Sequence, residues 1–373
     1  MLFRSGCGET PYAKLLTQLF GDRVYWANAT GCSQAWGSPM PGIPYTTNRY
    51  GRGPAWSNSL FENNAEFSLG MALSVKKQRE MQKMRAEQLL TMPVPAELKS
   101  AIEAWLAAYN DFEQSRVTGD ALVEKLAISN EQLAITQSAS QDSLATQLIQ
   151  KLLRHKDQFA RKTFWMFGGD GWAYDIGFGG LDHVLASGEN LNVFIVDTEV
   201  YSNTGGQSSK ATPIGAVAQF ASSGKKSPKK DLGAIFMTYG NVYVAQVAMG
   251  ADPNQLIKAI KEAEEFDGPS ILIAYTPCQA HGIKCGMGNT QLEMKRAVEA
   301  GYWRLYRYNP TKEKPFTLDS KEPTMSFDEF LDGETRYASL KRTFPANAEE
   351  YFTKGADLAK ESYQKYKKME DNQ

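Results

Sequence analysis

The spacing of apolar positions along this chain changes character three times. Near the start, Tyr12 to Phe20 has the pattern of a short amphipathic helix, with Thr10-Pro11 as its start and Gly21 as its stop. Val24 to Ala27 is then a compact apolar run that predicts a strand. The rest of residues 1 to about 75 is rich in Gly, Asn, Pro and aromatics, the composition of ordered loops around short elements. From about Leu73 to Arg161, Lys, Gln, Glu, Ala and Leu dominate, and apolar residues recur three and four apart, as at Leu98, Ile102, Trp105, Leu106 and Tyr109. That period predicts a helical insertion over 73–161, broken by Pro93 and Pro95 and again by the Ser-rich stretch Ser138 to Ser143, into three or four antiparallel helices. No residue pattern in it suggests chemistry.

From Thr163 onward the pattern alternates between strand and helix. Thr163 to Phe167, Asn192 to Val196, Ala234 to Thr238 and Ser270 to Tyr275 are short apolar runs, each the length of a buried strand, and Leu181 to Ala186 lies in a helix. Asp252 caps and Pro253 opens a helix that reaches about Phe266 and stops at Gly268, so the unit reads as strand, helix, strand with a parallel crossover. The fold class is therefore α/β, a doubly wound, mostly parallel sheet. The polar, charged segment 310–373, with an amphipathic helix from Ala346 to Lys368, reads as a peripheral wrap around a single domain spanning 1–373.

Composition narrows the function classes. The chain has 373 residues, with 41 Lys and Arg against 42 Asp and Glu, so it lacks the basic excess that coats nucleic acid. No run of about eighteen apolar residues exists to span a bilayer. The start, MLFRSGCGETPY, has no apolar core of a secretory signal, which places the chain in a reducing, cytoplasmic compartment. Cys7, Cys32, Cys278 and Cys285 are too dispersed for a disulfide scaffold or a local zinc module.

Two strand ends carry unusual polar sequences, at the place where open α/β sheets bind ligands. The first is Gly168-Gly169-Asp170-Gly171-Trp172-Ala173-Tyr174-Asp175. Its glycines permit a sharp turn and close backbone approach, the helix after it offers free N–H groups to a phosphate, and Asp170 offers a hard oxygen to Mg²⁺. A lone Gly-Asp-Gly is more often a plain turn. The second strand end, Asp197-Thr198-Glu199-Val200-Tyr201-Ser202-Asn203-Thr204-Gly205-Gly206-Gln207, follows one crossover later and can complete an oxygen site with a hydroxyl or a carbonyl.

Together these loops resemble the thiamine-diphosphate-binding motif, without its usual Asn-Asn ending. The second loop resembles the version found in the pyruvate:ferredoxin (flavodoxin) oxidoreductases. The likeness extends to Cys7-Gly8-Glu9-Thr10-Pro11-Tyr12, Ala29-Thr30-Gly31-Cys32-Ser33, Thr276-Pro277-Cys278 and His281-Gly282-Ile283. It covers most of the chain apart from the helical insertion, and identifies the chain as the carboxy-terminal thiamine-binding region of that large enzyme. The resemblance implies that Asp170, the Thr198 hydroxyl and the Val200 carbonyl bind Mg²⁺. It implies that Glu9, Cys32, Gly169, Asp170, Gly171, Trp172, Thr198, Glu199, Val200, Tyr201, Ser202 and Asn203 surround thiamine diphosphate, with Asn203 at the reacting thiazolium. It also implies a 4Fe–4S cluster held by Cys7, Cys32 and Cys278. The family's fourth cysteine stands three residues before Cys7, where this chain has Arg4; Cys285 substitutes only if its loop bends back.

The implied activity is oxidative decarboxylation of pyruvate or another 2-oxo acid, with the acyl group passed to coenzyme A and electrons to ferredoxin or flavodoxin. The grip on the aminopyrimidine is expected from another domain or subunit, so the chain is expected to associate and, alone, to be catalytically incomplete. Alternatives are a non-redox 2-oxo-acid decarboxylase subunit and a non-catalytic cofactor-binding module. His155 is expected at the surface, His183 packed, and His281 in a structural hydrogen bond. Lys225, Lys226, Lys229 and Lys230 read as a solvated basic loop, with steering of an acidic electron carrier as the alternative.

Overall fold

A computed structural model of the chain describes residues 6–38, 45–136 and 143–373. The chain divides into two compact units, one of residues 1–69 and 164–373 and one of residues 70–163.

The first unit is built on an eight-stranded sheet. Its strands are β1 (Val24–Asn28), β2 (Ala55–Asn58), β3 (Thr163–Gly169), β4 (Asn192–Asp197), β5 (Tyr243–Val247), β6 (Ser270–Tyr275), β7 (Tyr306–Tyr308) and β8 (Phe316–Leu318). Across the sheet they run β8-β7-β5-β6-β4-β3-β1-β2. The β1/β2, β3/β4, β4/β6 and β5/β6 pairs are parallel, with Trp165 opposite Asn192 and Asn192 opposite Ser270. The β5/β7 and β7/β8 pairs are antiparallel. Every residue of β4 and β6 is buried, which is why the central strands read as unbroken apolar runs rather than alternating ones. The crossover helix Pro253–Glu265 starts where its sequence says: Asp252 Oδ1 accepts the Asn254 and Gln255 N–H groups at 3.0 and 2.9 Å.

Three expectations need correcting. Ala234 to Thr238 is not a strand; residues Leu232–Met237 form a helix capped by Asp231, and the strand is β5, one turn later. A short apolar run fits either state, and the Asp231 cap was the deciding signal. The first helix is Glu9–Phe20, with Gly8 rather than Thr10 at its N-cap. The segment after Pro310 is more than a peripheral wrap: it supplies edge strand β8, and Tyr366 of the helix Pro345–Asp371 stacks on Tyr306 and Phe316 at 4.8 and 5.5 Å. It also carries Glu334 and Arg336 into the interior.

The second unit is helical. The helices Ala96–Ala107, Gln114–Thr136 and Leu144–Arg154 and most of Asn64–Leu90 surround a core of Leu98, Ile102, Trp105, Leu122, Leu126, Ile149, Leu152 and Phe159. Trp105 packs edge-on against Phe159 at 4.9 Å and donates its indole N–H to the Phe159 carbonyl at 3.0 Å. The Ser-rich break falls mostly outside the described residues. Among the described residues no helix is long and apolar enough to cross a membrane.

Candidate functional site

The carboxyl ends of β1, β3, β4 and β6 bring four loops to one edge of the sheet. Ala29 N–H bonds the Phe167 carbonyl at 2.8 Å, Thr276 N–H the Asp197 carbonyl at 3.0 Å, and Gly8 N–H the Pro277 carbonyl at 3.2 Å. The start of the first helix therefore joins the loops after β3, β4 and β6. The chain leaves β3 through a wide π-helical turn, Gly171–Ile176. A side chain at position 171 would place its Cβ 2.6 Å from the Tyr201 ring, so the Gly-Asp-Gly turn closes on the second loop only because it has none there.

Asp170 sits between the two loops, fully buried. Its Oδ1 accepts the Thr198 N–H at 3.2 Å and lies 2.9 Å from the Thr198 hydroxyl, while Oδ2 accepts the Ser209 hydroxyl at 2.6 Å. The Thr198 hydroxyl also lies 3.0 Å from the Val200 carbonyl and 2.8 Å from the Ser202 hydroxyl. Burial, then the charge of Asp197, pushes the Asp170 carboxyl up to about 8, and the Ser209 bond only partly opposes this. A carboxylate, a hydroxyl and a carbonyl oxygen within reach of one another form a donor set that suits Mg²⁺, which takes few protein carboxylates and completes its shell with phosphate and water. Among the described residues no three His, Cys, Asp or Glu side chains gather around a metal position.

On the other side of the same turn lies a cluster of compensated charges. Glu199 has φ +60°, a left-handed conformation rare for a residue with a side chain. Its carboxylate points into the interior, 3.0 Å from Lys229 Nζ and 2.7 Å from Arg336 Nη2, and accepts the Tyr302 hydroxyl at 2.6 Å. Burial pushes this acid up, but Lys229, Arg336 and His281 outweigh it and hold it down at about 2. Lys229 also pairs with Asp197 at 2.7 Å, and Asp197 accepts the Tyr174 hydroxyl at 2.7 Å. Arg336 Nε donates to Glu334 at 2.6 Å, and Glu334 lies 3.5 Å from His281 Nδ1. His281 Nε2 donates to the Thr198 carbonyl at 2.7 Å, the structural hydrogen bond expected of it. The lysine loop is thus not a solvated patch. Lys225 donates to the Ser209 carbonyl, Lys229 enters the charge cluster, Lys230 donates to the Tyr174 carbonyl, and Lys226 alone is exposed. His155 is half-buried, and His183 is exposed on its helix rather than packed.

The remaining expected residues divide by location. Trp172 is wholly buried and fills the space beside Gly168 and Gly177, so only its backbone faces the loops. Tyr201 and Ser202 are half-buried, and Asn203 is exposed on the turn between the short strands Val200–Tyr201 and Gln207–Ser208. Glu9 is buried and accepts the Trp36 indole N–H at 2.7 Å; burial pushes it up to about 7. Cys7, Cys32 and Cys278 are close enough for their charges and that of Glu9 to be felt at one another, but they do not gather around a single metal position. Burial and then the Glu9 charge raise Cys7 to about 12, and Cys32 moves the same way; burial raises Cys278 too. Cys285 is exposed, and Arg4 lies outside the described residues. A cavity of about 510 Å³ opens behind the charge cluster, lined by Glu199, Lys229, Tyr302, Trp303 and Tyr366 among others; neither Asp170 nor Thr198 lines it.

Residues 147–274, which include both loops, match the model of the thiamine pyrophosphate enzyme family, C-terminal TPP binding domain. Over 98% of this chain the sequence is 54% identical to a pyruvate-flavodoxin oxidoreductase of Klebsiella pneumoniae and 55% identical to a pyruvate:ferredoxin oxidoreductase of Moorella thermoacetica. The aligned segment is 30% and 31% of those proteins, so the chain spans just under a third of the length of the curated relatives it matches. A mitochondrial pyruvate dehydrogenase (NADP+) of Euglena gracilis is 45% identical over 98% of this chain and 20% of its own length. The solved 2-oxoglutarate:ferredoxin oxidoreductase of Magnetococcus marinus aligns with 74% of this chain and 63% of its own at 16% identity and a TM-score of 0.41.

Proposed function

We propose that this chain, related over nearly its whole length to the pyruvate-flavodoxin and pyruvate:ferredoxin oxidoreductases and carrying the C-terminal TPP binding domain at 147–274, is the diphosphate-gripping part of such an enzyme. The observation that carries this reading is the convergence of Asp170, the Thr198 hydroxyl and the Val200 carbonyl at adjoining strand ends. Those three oxygens hold Mg²⁺, and the Gly169–Trp172 turn presents backbone to the diphosphate. Glu9, Cys32, Tyr201 and Ser202 line the approach, and Asn203, at the exposed turn, is the residue placed to bond the reacting end of the cofactor.

Thiamine diphosphate held there would supply a carbanion nucleophile and an electron sink for decarboxylation of a 2-oxo acid. Around it, Glu9 is poised near neutrality and can hold or release a proton close to Cys7 and Cys32. Cys7, Cys32 and Cys278 would supply three of the four thiolates of a 4Fe–4S cluster; they would have to draw together and give up the protons that burial keeps on them. Pyruvate as substrate, coenzyme A as acyl acceptor, ferredoxin or flavodoxin as electron acceptor, and a partner domain or subunit that holds the aminopyrimidine complete the reading. A non-redox decarboxylase subunit is the second reading, favoured by Arg4 at the position of the family's fourth cysteine and by the exposure of Cys285. Free aldehyde with no reduced carrier is its signature.

The test is calorimetric titration of thiamine diphosphate with and without Mg²⁺. Mg²⁺-dependent binding is expected, and Asp170→Ala abolishes it. Unchanged binding in that variant overturns the metal assignment. Iron and acid-labile sulfide in anaerobically purified chain, about four of each, support the cluster; none removes it from this chain.

A further inference from the structure

We propose that Arg336, far outside the matched domain and 137 residues from its partner, is a positioning residue that holds the metal-binding turn in shape by gripping Glu199. The inference rests on the reading of Asp170, Thr198 and Val200 as a Mg²⁺ site, and it adds a device that the motif itself does not contain.

The two residues flanking Glu199 supply two of the three metal oxygens, so the backbone at Glu199 sets their relative placement. That backbone is left-handed, φ +60°, a state a glutamate leaves unless surrounding contacts over-determine it. Here each polar atom of Glu199 is engaged. Its N–H donates to Asp197 Oδ1 at 3.1 Å, its carbonyl accepts the Thr212 hydroxyl at 2.5 Å, Oε1 meets Lys229, and Oε2 meets Arg336 and Tyr302. The side chain thereby points away from the oxygen cluster while Thr198 and Val200 point into it.

Of these contacts, Arg336 is the one whose charge is aimed at the turn by a framework of its own. Its Nε is fixed by Glu334, and its carbonyl accepts the Val217 N–H at 3.1 Å. Glu334 in turn faces His281, whose other nitrogen donates to the Thr198 carbonyl. The Glu334–Arg336 pair therefore reaches two successive residues of the turn, Glu199 directly and Thr198 through His281. Lys229 is shared with Asp197 as Arg336 is with Glu334, so neither cation neutralises Glu199 alone. Without Arg336 a buried carboxylate keeps half a cation, and the relief open to it is to swing the turn toward water. Outer partners of this kind tune metal ligands that they never touch.

The experiment uses the full chain. In cofactor-free protein, amide hydrogen exchange of peptides covering 198–203 is compared with that of β4 in wild type, Arg336→Met and Arg336→Lys. The expected result is exchange at the turn about tenfold faster in Arg336→Met, with β4 unchanged and partial recovery in Arg336→Lys. Mg²⁺-dependent thiamine diphosphate binding, read by calorimetry, weakens about tenfold in the same variant. Wild-type exchange at the turn, or wild-type binding, overturns the proposal. If β4 also loses protection in Arg336→Met, Glu199→Gln decides: it keeps the shape and loses the charge, and must show the same local opening. Because the exchange arm needs no cofactor, a wild-type chain that fails to bind thiamine diphosphate rejects the functional reading while leaving the clamp to be judged by exchange.

Discussion

Asp170 and Glu199 are both fully buried acids on adjoining loops, yet their surroundings push them in opposite directions. Glu199 meets Lys229, Arg336 and a tyrosine hydroxyl and stays ionised far below the usual carboxylate range, at about 2. Asp170 meets two hydroxyls and one N–H, feels Lys229 only at a distance, and is raised to about 8. Burial costs both the same kind of penalty, so the difference lies in the cations the protein supplies. The protein neutralises Glu199 from within. It leaves Asp170 without a cation beside hydroxyl and carbonyl oxygens, the condition under which a divalent ion from outside gains most.

The sharpest way to break this contrast is to take away the shared cation. Lys229→Met leaves Asp197 and Glu199 facing each other with Arg336 alone. We predict a loss of about 3–5 kcal/mol, the cost of stripping one partner from a buried pair, read as a lower denaturant midpoint with unchanged slope. A loss below about 1 kcal/mol would mean the cluster contributes no more than exposed pairs do, and the internal neutralisation of Glu199 would fail as an explanation.

A smaller effect separates the two acids by pH. Glu199 is depressed in the folded state, from 4.5 to about 2, so its contribution is present above the unfolded value and is lost as pH falls from about 4.5 to 2; the shift is worth about 3 kcal/mol. Asp170 is raised, from 3.8 to about 8, so the folded chain holds a proton that the unfolded chain releases, and metal-free stability falls as pH rises across that window. Asp170→Asn is predicted to flatten the slope between pH 4 and 8 in metal-free protein and to leave the acid limb untouched. In wild type, Mg²⁺ is predicted to raise the melting temperature more at pH 8 than at pH 6, because binding must displace that proton. Equal Mg²⁺ effects at both pH values would show that Asp170 is not the group displaced.

The same comparison marks where sequence reasoning reached and where it stopped. The loop that leaves Asp170 unbalanced was legible, because its oxygens come from two short motifs at the ends of apolar runs, and β3 and β4 are those runs to within two residues. The charge cluster was not legible. Its members, Lys229, Tyr302, Glu334 and Arg336, belong to no local pattern, and the lysine loop has the composition of a solvated face until the fold turns three of its side chains inward. Asp231 shows a nearer failure: its cap identifies the helix Leu232–Met237, but a six-residue apolar run is also the length of a strand. The Asp231 cap decides between them, and β5 takes the strand position in the sheet.

Glu293 provides the finest test of the contrast. It is wholly buried on the helix Thr290–Glu299, neither of its carboxylate oxygens has a hydrogen-bond partner among the described residues, and Arg296 stands 3.6 Å away. Burial, then the charge of Glu334, pushes it up to about 7. It is thus a raised, buried acid like Asp170, but one with Arg296 close by and without hydroxyl or carbonyl oxygens bonded to it, and on the argument above it should gain nothing from Mg²⁺. Because its folded value is raised, its ionisation destabilises the chain as pH rises from about 4.5 to 7. Glu293→Gln removes that ionisation, so we predict a gain of about 1 kcal/mol at pH 8 and little change at pH 5, with Mg²⁺-dependent cofactor binding unaltered. A change in Mg²⁺ binding would place Glu293 in the metal's electrostatic environment. The nearby cation and the missing oxygen partners would then no longer suffice to tell Glu293 from Asp170.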